Sequence, residues 1–306
     1  MSRDLSILIP CYNGLCLPLV DDLSRQAQAL ERESGGAFRY EILVGDDGST
    51  DRQVIASNRS IDELPHCTYL LGRPNRGRAA IRNYLAREAR YETLLFIDCD
   101  MRVRADGFLG RYLQVAGHCD AAYGGYVLNG DPRRLAHNLR YLYERRGDSN
   151  ALAQKRLRQP YRDIHTSNLL LRRSTLLEHP LDERFRRYGY EDVLLGKTLC
   201  ECGATVTHVD NPVSFEKFES NEAFVAKTIE GLQTLASFEQ ELAEYSRLAI
   251  ALRRLEALRL LPLLRTFNRL AGGALRRNLE GGRPCVRLFS LFKLCKYCEI
   301  RGKASR

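Results

Sequence analysis

Short apolar runs alternate with amphipathic stretches over the first two thirds of the chain. Leu5-Ser6-Ile7-Leu8-Ile9, Glu41-Ile42-Leu43-Val44, Thr68-Tyr69-Leu70-Leu71 and Thr93-Leu94-Leu95-Phe96-Ile97 read as buried strands. Helical patterns lie between them, over residues 18–33, from Asp51 onward and over 77–90. Strands this apolar, separated by helices, predict an α/β fold with a mostly parallel sheet flanked by helices. Further on, the pattern predicts helices over 106–117 and 133–146, a strand over 121–128 and a strand over 168–171. A helix starting at Glu191, a strand over 204–209 and a long helix over 220–245 complete this part, and 147–164 reads as a mobile polar loop.

Ligands of such sheets bind beyond the carboxyl ends of the strands. Three predicted strands end there in polar clusters: Pro10-Cys11-Tyr12-Asn13, Asp46-Asp47 and Asp98-Cys99-Asp100. Two carboxylates spaced as in Asp98-x-Asp100 can hold one divalent ion through oxygen, leaving sites for water or phosphate oxygens. Such an ion would neutralise a leaving diphosphate. The turn Asp46-Asp47-Gly48-Ser49-Thr50-Asp51 offers a carboxylate to a base or ribose, with Ser49 or Thr50 as a helix cap, and Tyr12 offers a ring for stacking. Glu191-Asp192 either stabilises a helix start or supplies a general base.

Charge changes the picture at one end only. The chain of 306 residues carries a net charge of +9, yet residues 247–306 hold fifteen Lys/Arg against three Asp/Glu, leaving the rest slightly acidic. That distribution argues against a nucleic-acid-binding surface. The tail sets leucine clusters among arginines, as in Leu260-Leu261-Pro262-Leu263-Leu264-Arg265, and is punctuated by Gly272-Gly273 and Gly281-Gly282. It suits either a helix on an anionic membrane surface or a helical subdomain with solvated arginines. No run approaches the ~18–20 apolar residues of a membrane span.

The ten cysteines are scattered and the N-terminus has no secretory pattern, so reduced thiols and a cytoplasmic location are expected. Cys295-x-x-Cys298 and Cys200-x-Cys202 have no second pair at zinc-site spacing, and structural thiols are the simpler reading.

Taken together, four segments resemble the family 2 glycosyltransferases with their GT-A fold. They are Ser6 to Asn13, Glu41 to Asp51, Asn75 to Asn83 with Phe96 to Asp100, and Phe185-x-x-Tyr188-Gly189-Tyr190-Glu191-Asp192-x-x-Leu195. The resemblance covers roughly residues 4–215 and implies a metal-dependent, inverting transfer from a nucleotide-diphosphate-sugar, most often a UDP-sugar, to an acceptor hydroxyl. By that resemblance Pro10, Tyr12 and Asp47 hold the nucleoside, and Arg78 and Arg82 lie near the diphosphate or sugar. Asp98 faces the ribose or donor sugar, Asp100 ligates Mg2+ or Mn2+, Asp192 is the base and Glu191 orients the acceptor, a saccharide or lipid-linked saccharide.

Two departures stand out. Met101 replaces an acid often found after the D-x-D, and Asn211-Pro212-Val213-Ser214-Phe215 lacks an expected metal-binding histidine, for which His208 is the available substitute. The implied organisation is a GT-A domain over 1–245, with a nucleotide half over about 1–105 and an acceptor half over about 106–245, then a basic helical extension over 246–306. The chain is expected to build cell-surface or secreted polysaccharide from the cytoplasmic side, docked peripherally on the inner face of the plasma membrane. A nucleotidyltransferase would need a Gly-rich, Arg-containing loop near the N-terminus, which is missing. A non-catalytic sugar-nucleotide-binding homologue and a polyanion binder acting through the tail are the remaining alternatives, though three acidic clusters would repel a polyanion.

Overall fold

The computed structural model describes residues 4–72, 74–147 and 152–304. The first half runs β1 (Leu5–Cys11), α1 (Leu17–Glu33), β2 (Tyr40–Asp46), α2 (Arg52–Asn58), β3 (Cys67–Leu71), α3 (Arg78–Glu88), β4 (Thr93–Ile97), β5 (Met101–Arg102), α4 (Phe108–Val115), β6 (Ala121–Tyr123) and β7 (Tyr126–Leu128). Then come α5 (Leu139–Gly147), α6 (Ala153–Arg156), β8 (Asn168–Arg172), α7 (Arg173–Glu178), α8 (Glu191–Glu201), β9 (Val206–His208) and β10 (Val213–Phe215). Helices α9 (Asn221–Ser237), α10 (Glu239–Leu242), α11 (Arg247–Ala257), α12 (Leu261–Glu280) and α13 (Val286–Ala304) close the chain.

The chain forms two compact units. The first comprises Met1–Asn129, Ser149–Arg186 and Leu195–Glu216; the second comprises Gly130–Asp148, Arg187–Leu194 and Lys217–Arg306. The first unit holds a seven-stranded sheet in the order β3-β2-β1-β4-β8-β6-β9 and a three-stranded sheet β5-β10-β7. Only β8 runs against its neighbours in the large sheet, so the mostly parallel α/β expectation is met. Register explains the unbroken apolar runs. Leu8, Leu43, Phe96, Leu169 and Tyr123 pair side by side, and they pack with residues of α3, α7 and α8 in one core. The adjacent row, Ile7, Ile42, Leu95, Leu170 and Ala122, is buried as well. With both faces covered, neither row can be polar.

The expected strand over 121–128 is two strands in two different sheets. Gly124 is the cause: a Cβ there would lie 2.4 Å from Asn168 Nδ2, Asn211 O and Tyr112 Oη. Asn168, fully buried, is the hub of this junction. Its Nδ2 donates to Gly125 O (2.7 Å) and Asn211 O (2.8 Å), and Tyr112 Oη donates to its Oδ1 (2.8 Å). Asn168→Ala would take from Asn211 O its side-chain donor, at a cost of about 1–3 kcal/mol, whereas Gly125 O keeps the Val213 amide (3.2 Å) and Tyr112 Oη keeps the backbone carbonyl of residue 168 (2.9 Å). A loss of roughly 1–3 kcal/mol is the expected result of urea unfolding.

The second unit is helical. Its core joins Leu139 of α5, Phe224 and Val225 of α9, Leu275 and Leu279 of α12, and Phe289 and Phe292 of α13. Several expectations shift here. Helix α5 begins at 139 rather than 133, because Asn138 caps it, accepting from the Tyr141 amide (2.9 Å). The helix expected over 220–245 breaks at Phe238. Gly272 and Gly273 lie inside α12 instead of punctuating the tail, whereas Gly281 ends it. Part of the loop expected over 147–164, residues 148–151, lies outside the described residues; α6 occupies 153–156.

Candidate active site

Strands β1, β2 and β4 run parallel and adjacent, so their carboxyl ends open at one edge of the large sheet. Pro10 is buried there, opposite Gly45, and Cys11 lies opposite Asp46. Tyr12 follows at the rim, 51% exposed.

The two acids at the end of β2 divide their work. Asp46 is fully buried and structural, accepting from the Ser49 amide (2.6 Å) and from the Tyr69 hydroxyl. Asp47 accepts from the backbone amides of Arg76 (2.8 Å) and Gly77 (2.9 Å), pinning the loop ahead of α3. Burial pushes the Asp47 carboxyl above its ordinary value, against the pull of those two donors. Gly48, directly after Asp47, has φ +79° and a Cβ would lie 2.7 Å from Asn75 N, which favours glycine there on both counts. Asp51, rather than Ser49 or Thr50, caps α2, accepting from Gln53 N (2.9 Å) and Val54 N (3.3 Å).

Asn13, given no role by sequence reasoning, joins the two loops. Its Oδ1 accepts from Thr50 N (2.8 Å) and Asp51 N (3.0 Å), and its own amide donates to Ser49 Oγ (2.7 Å). Its φ of 51° is the left-handed conformation that asparagine tolerates. An asparagine directly after a strand and its polar cluster is the signal that would have suggested this.

Asp98-Cys99-Asp100 forms a tight turn between the two sheets, with Met101 N donating to Asp98 O (3.0 Å) and β5 pairing at once with β10. Met101 is thus the buried first residue of β5, which accounts for an apolar side chain after the D-x-D. Arg82, 3% exposed at its side chain, donates from Nη2 to Asp98 Oδ1 (2.6 Å) and from Nη1 to Arg78 O (3.1 Å). A buried guanidinium therefore holds one oxygen of a carboxylate that stays 24% exposed. Asp100 and Arg78 are both half-buried, Arg78 as the first residue of α3. Oxygen donors from two carboxylates at a sheet edge fit a hard divalent cation that also takes water or phosphate oxygens.

His208 is turned to other partners. Its Nδ1 accepts from Arg156 Nε (3.1 Å) and its Nε2 faces Pro160 O (2.9 Å), so neither nitrogen has a lone pair to spare. Burial holds its pKa below the ordinary value, which favours the neutral ring this network needs. As placed, His208 supports the junction at β9 and is not brought to the acidic turn as a ligand.

Glu191 and Asp192 belong to the second unit and start α8. The turn before them is unusual: Gly189 and Tyr190 both have positive φ, 92° and 71°. It is fastened to α9, where Glu230 Oε1 accepts from Tyr188 N (3.1 Å) and Thr234 Oγ1 donates to Tyr188 O (3.0 Å). Glu191 is buried and Asp192 half-buried.

Comparison with known proteins agrees with the fold. The Glycosyl transferase family 2 profile matches residues 6–179. No curated protein sequence matches the chain significantly. Among solved structures, the mannosyltransferase PcManGT from Pyrobaculum calidifontis, in complex with GDP-Man and Mn2+, has a TM-score of 0.57 at 19% identity, covering 98% of this chain and 86% of that one. S. aureus TarS 1-349 has a TM-score of 0.52 at 16% identity, covering 99% and 91%. Its complex with UDP-GlcNAc has a TM-score of 0.51 at 17% identity, again covering 99% and 91%. These likenesses establish a shared GT-A fold, and with a profile match over more than half of its length the chain belongs to glycosyl transferase family 2.

Proposed function

We propose that the chain transfers a sugar from a UDP-sugar to a hydroxyl of a saccharide or lipid-linked saccharide, with inversion at the anomeric carbon. The observation that carries this reading is the meeting of Tyr12, Asp47 and Asp98-Cys99-Asp100 at one sheet edge, with Asp98 held by buried Arg82. Similar proteins have been captured with GDP-Man and Mn2+ and with UDP-GlcNAc, which supports a nucleotide-sugar donor.

In this reading Tyr12 stacks on the base, beside Pro10 and the carboxylate of Asp47. Asp98 and Asp100 hold Mg2+ or Mn2+, which when bound offsets charge on the leaving diphosphate. Arg78 and Arg82 add positive charge on the donor side, Arg82 by way of Asp98. Asp192 takes the acceptor O–H proton as the oxygen bonds to the anomeric carbon; the C–O bond to diphosphate breaks and its electrons leave with the phosphate oxygen. Glu191 orients the acceptor. Residues 1–105 serve the donor, 106–245 the acceptor, and 246–306 the membrane. Incubation with UDP-sugars, Mn2+ and candidate saccharides, with product linkage read by NMR, tests the reading; product of retained configuration contradicts it.

The tail supports peripheral docking at the inner face of the plasma membrane, where surface or secreted polysaccharide would be built. Leu263, Phe267 and Leu270 recur on one side of α12 at helical spacing and are 68%, 38% and 81% exposed. Exposed Arg259, Arg265 and Arg269 flank them. Apolar contact plus charge attraction is what binds a helix to anionic lipid. Leu263→Ser with Leu270→Ser is expected to lower binding to phosphatidylserine vesicles about tenfold or more, since each buried leucine contributes roughly 1.5–3 kcal/mol. Unchanged vesicle flotation would remove the docking claim.

A further inference from the structure

Cys11 and Cys99 belong to polar clusters at one sheet edge but have no role in the sequence reading, and with Cys16 their Sγ atoms all lie within 4.8 Å of one another. Cys11 ends β1, Cys16 precedes α1, and Cys99 sits between the two acids of the D-x-D. All three are free thiols; Cys11 and Cys16 are buried and Cys99 is partly exposed. We propose that these three sulfurs form a site for a thiophilic d10 cation such as Zn2+, separate from the carboxylate site of Asp98 and Asp100.

Metal–sulfur bonds of about 2.3 Å put thiolates roughly 4 Å apart, within reach of this spacing. Three protein ligands leave a fourth position for water. The surroundings are already arranged for charged sulfur. Asn58, fully buried, directs Nδ2 at Cys11 Sγ (3.9 Å) and Cys16 Sγ (3.8 Å). Such N–H donors outside the ligand sphere orient and stabilise thiolates.

Loss of the thiol protons to solvent leaves no backbone group stranded. Gly14 O accepts from Cys11 Sγ (3.1 Å) and Cys16 Sγ (3.5 Å), and also from Asn58 Nδ2 (2.9 Å), a donor that remains when the thiols ionise. Gly14 lies close against the sulfurs, and a Cβ there would meet Cys99 Sγ at 2.7 Å. Soft sulfur selects Zn2+, Cd2+ or Cu+, whereas oxygen selects Mg2+ or Mn2+. Two adjacent sites can therefore fill independently, the soft one tying the end of β1 to the D-x-D turn.

This site stands or falls apart from the transferase reading, because its signal needs neither donor nor transfer. The full chain carrying Cys200→Ser and Cys202→Ser, to remove the exposed pair, is reduced and titrated with Cd2+ in saturating Mg2+. The proposal expects a sulfur-to-cadmium charge-transfer band that saturates at about one equivalent and disappears in Cys99→Ser and in Cys11→Ser. Circular dichroism of each variant shows whether it is folded, and the unsubstituted chain should gain thermal stability with Zn2+. A folded chain without the band, or a folded Cys99→Ser variant that keeps it at full strength, overturns the proposal.

Discussion

Asp100→Ala is expected to abolish the dependence of UDP-sugar binding on Mn2+ and to lower transfer by a factor on the order of 10^2–10^3 or more, the cost of losing one group aimed at developing charge. The side chain is half-buried in a turn held by the Met101 amide and by the pairing of β5 with β10. Those are backbone bonds, so alanine should leave the turn standing. Calorimetric titration of UDP with and without Mn2+, beside a transfer assay, separates lost binding from lost chemistry. Residual binding that still needs Mn2+ would move the cation to other residues.

The second large effect concerns proton removal. Asp192→Asn keeps size and shape at the start of α8 but cannot accept the acceptor's proton. Transfer should fall by about 10^2–10^4, the usual contribution of a general base, while donor binding is unchanged. The turn that presents Asp192 is fastened through Tyr188 to Glu230 and Thr234, bonds the substitution leaves in place, and circular dichroism of the variant checks that the fold is kept. Loss of donor binding alongside transfer would mean that Asp192 supports the fold or the donor site instead of the base step.

Much of the sheet was legible because its strands are buried on both faces. Ile7, Leu8, Ile42, Leu43, Leu95 and Phe96 leave no alternation to misread, and the polar clusters that stop them mark one edge. Where two elements compete for the same apolar run, the pattern was less informative. Tyr123 and Tyr126 look like one strand until Gly124 is seen packed against Asn168, a residue 44 positions later.

The same limit applies at the candidate site. The residue types of Asp47, Arg82 and Asp98 were readable, but the bonds of Asp47 to the Arg76 and Gly77 amides and of Arg82 to Asp98 depend on tertiary approach. His208 looked available because its partners, Arg156 and Pro160, lie some fifty residues away in sequence. The cysteine cluster escaped for that reason too: zinc spacing rules describe local pairs, and Cys99 joins Cys11 and Cys16 only through the β1–β4 pairing.

The most direct test of the central claim is a thermal-shift comparison of the purified full chain with UDP-, GDP-, CMP- and dTDP-sugars, each with and without Mn2+. A ligand that binds only the folded state raises the unfolding midpoint by mass action. The account predicts that a UDP-sugar raises it, that the rise requires Mn2+, and that it vanishes in Asp100→Ala. A rise of equal size without the metal, or no rise with any of the four donors when Mn2+ is present, would contradict it.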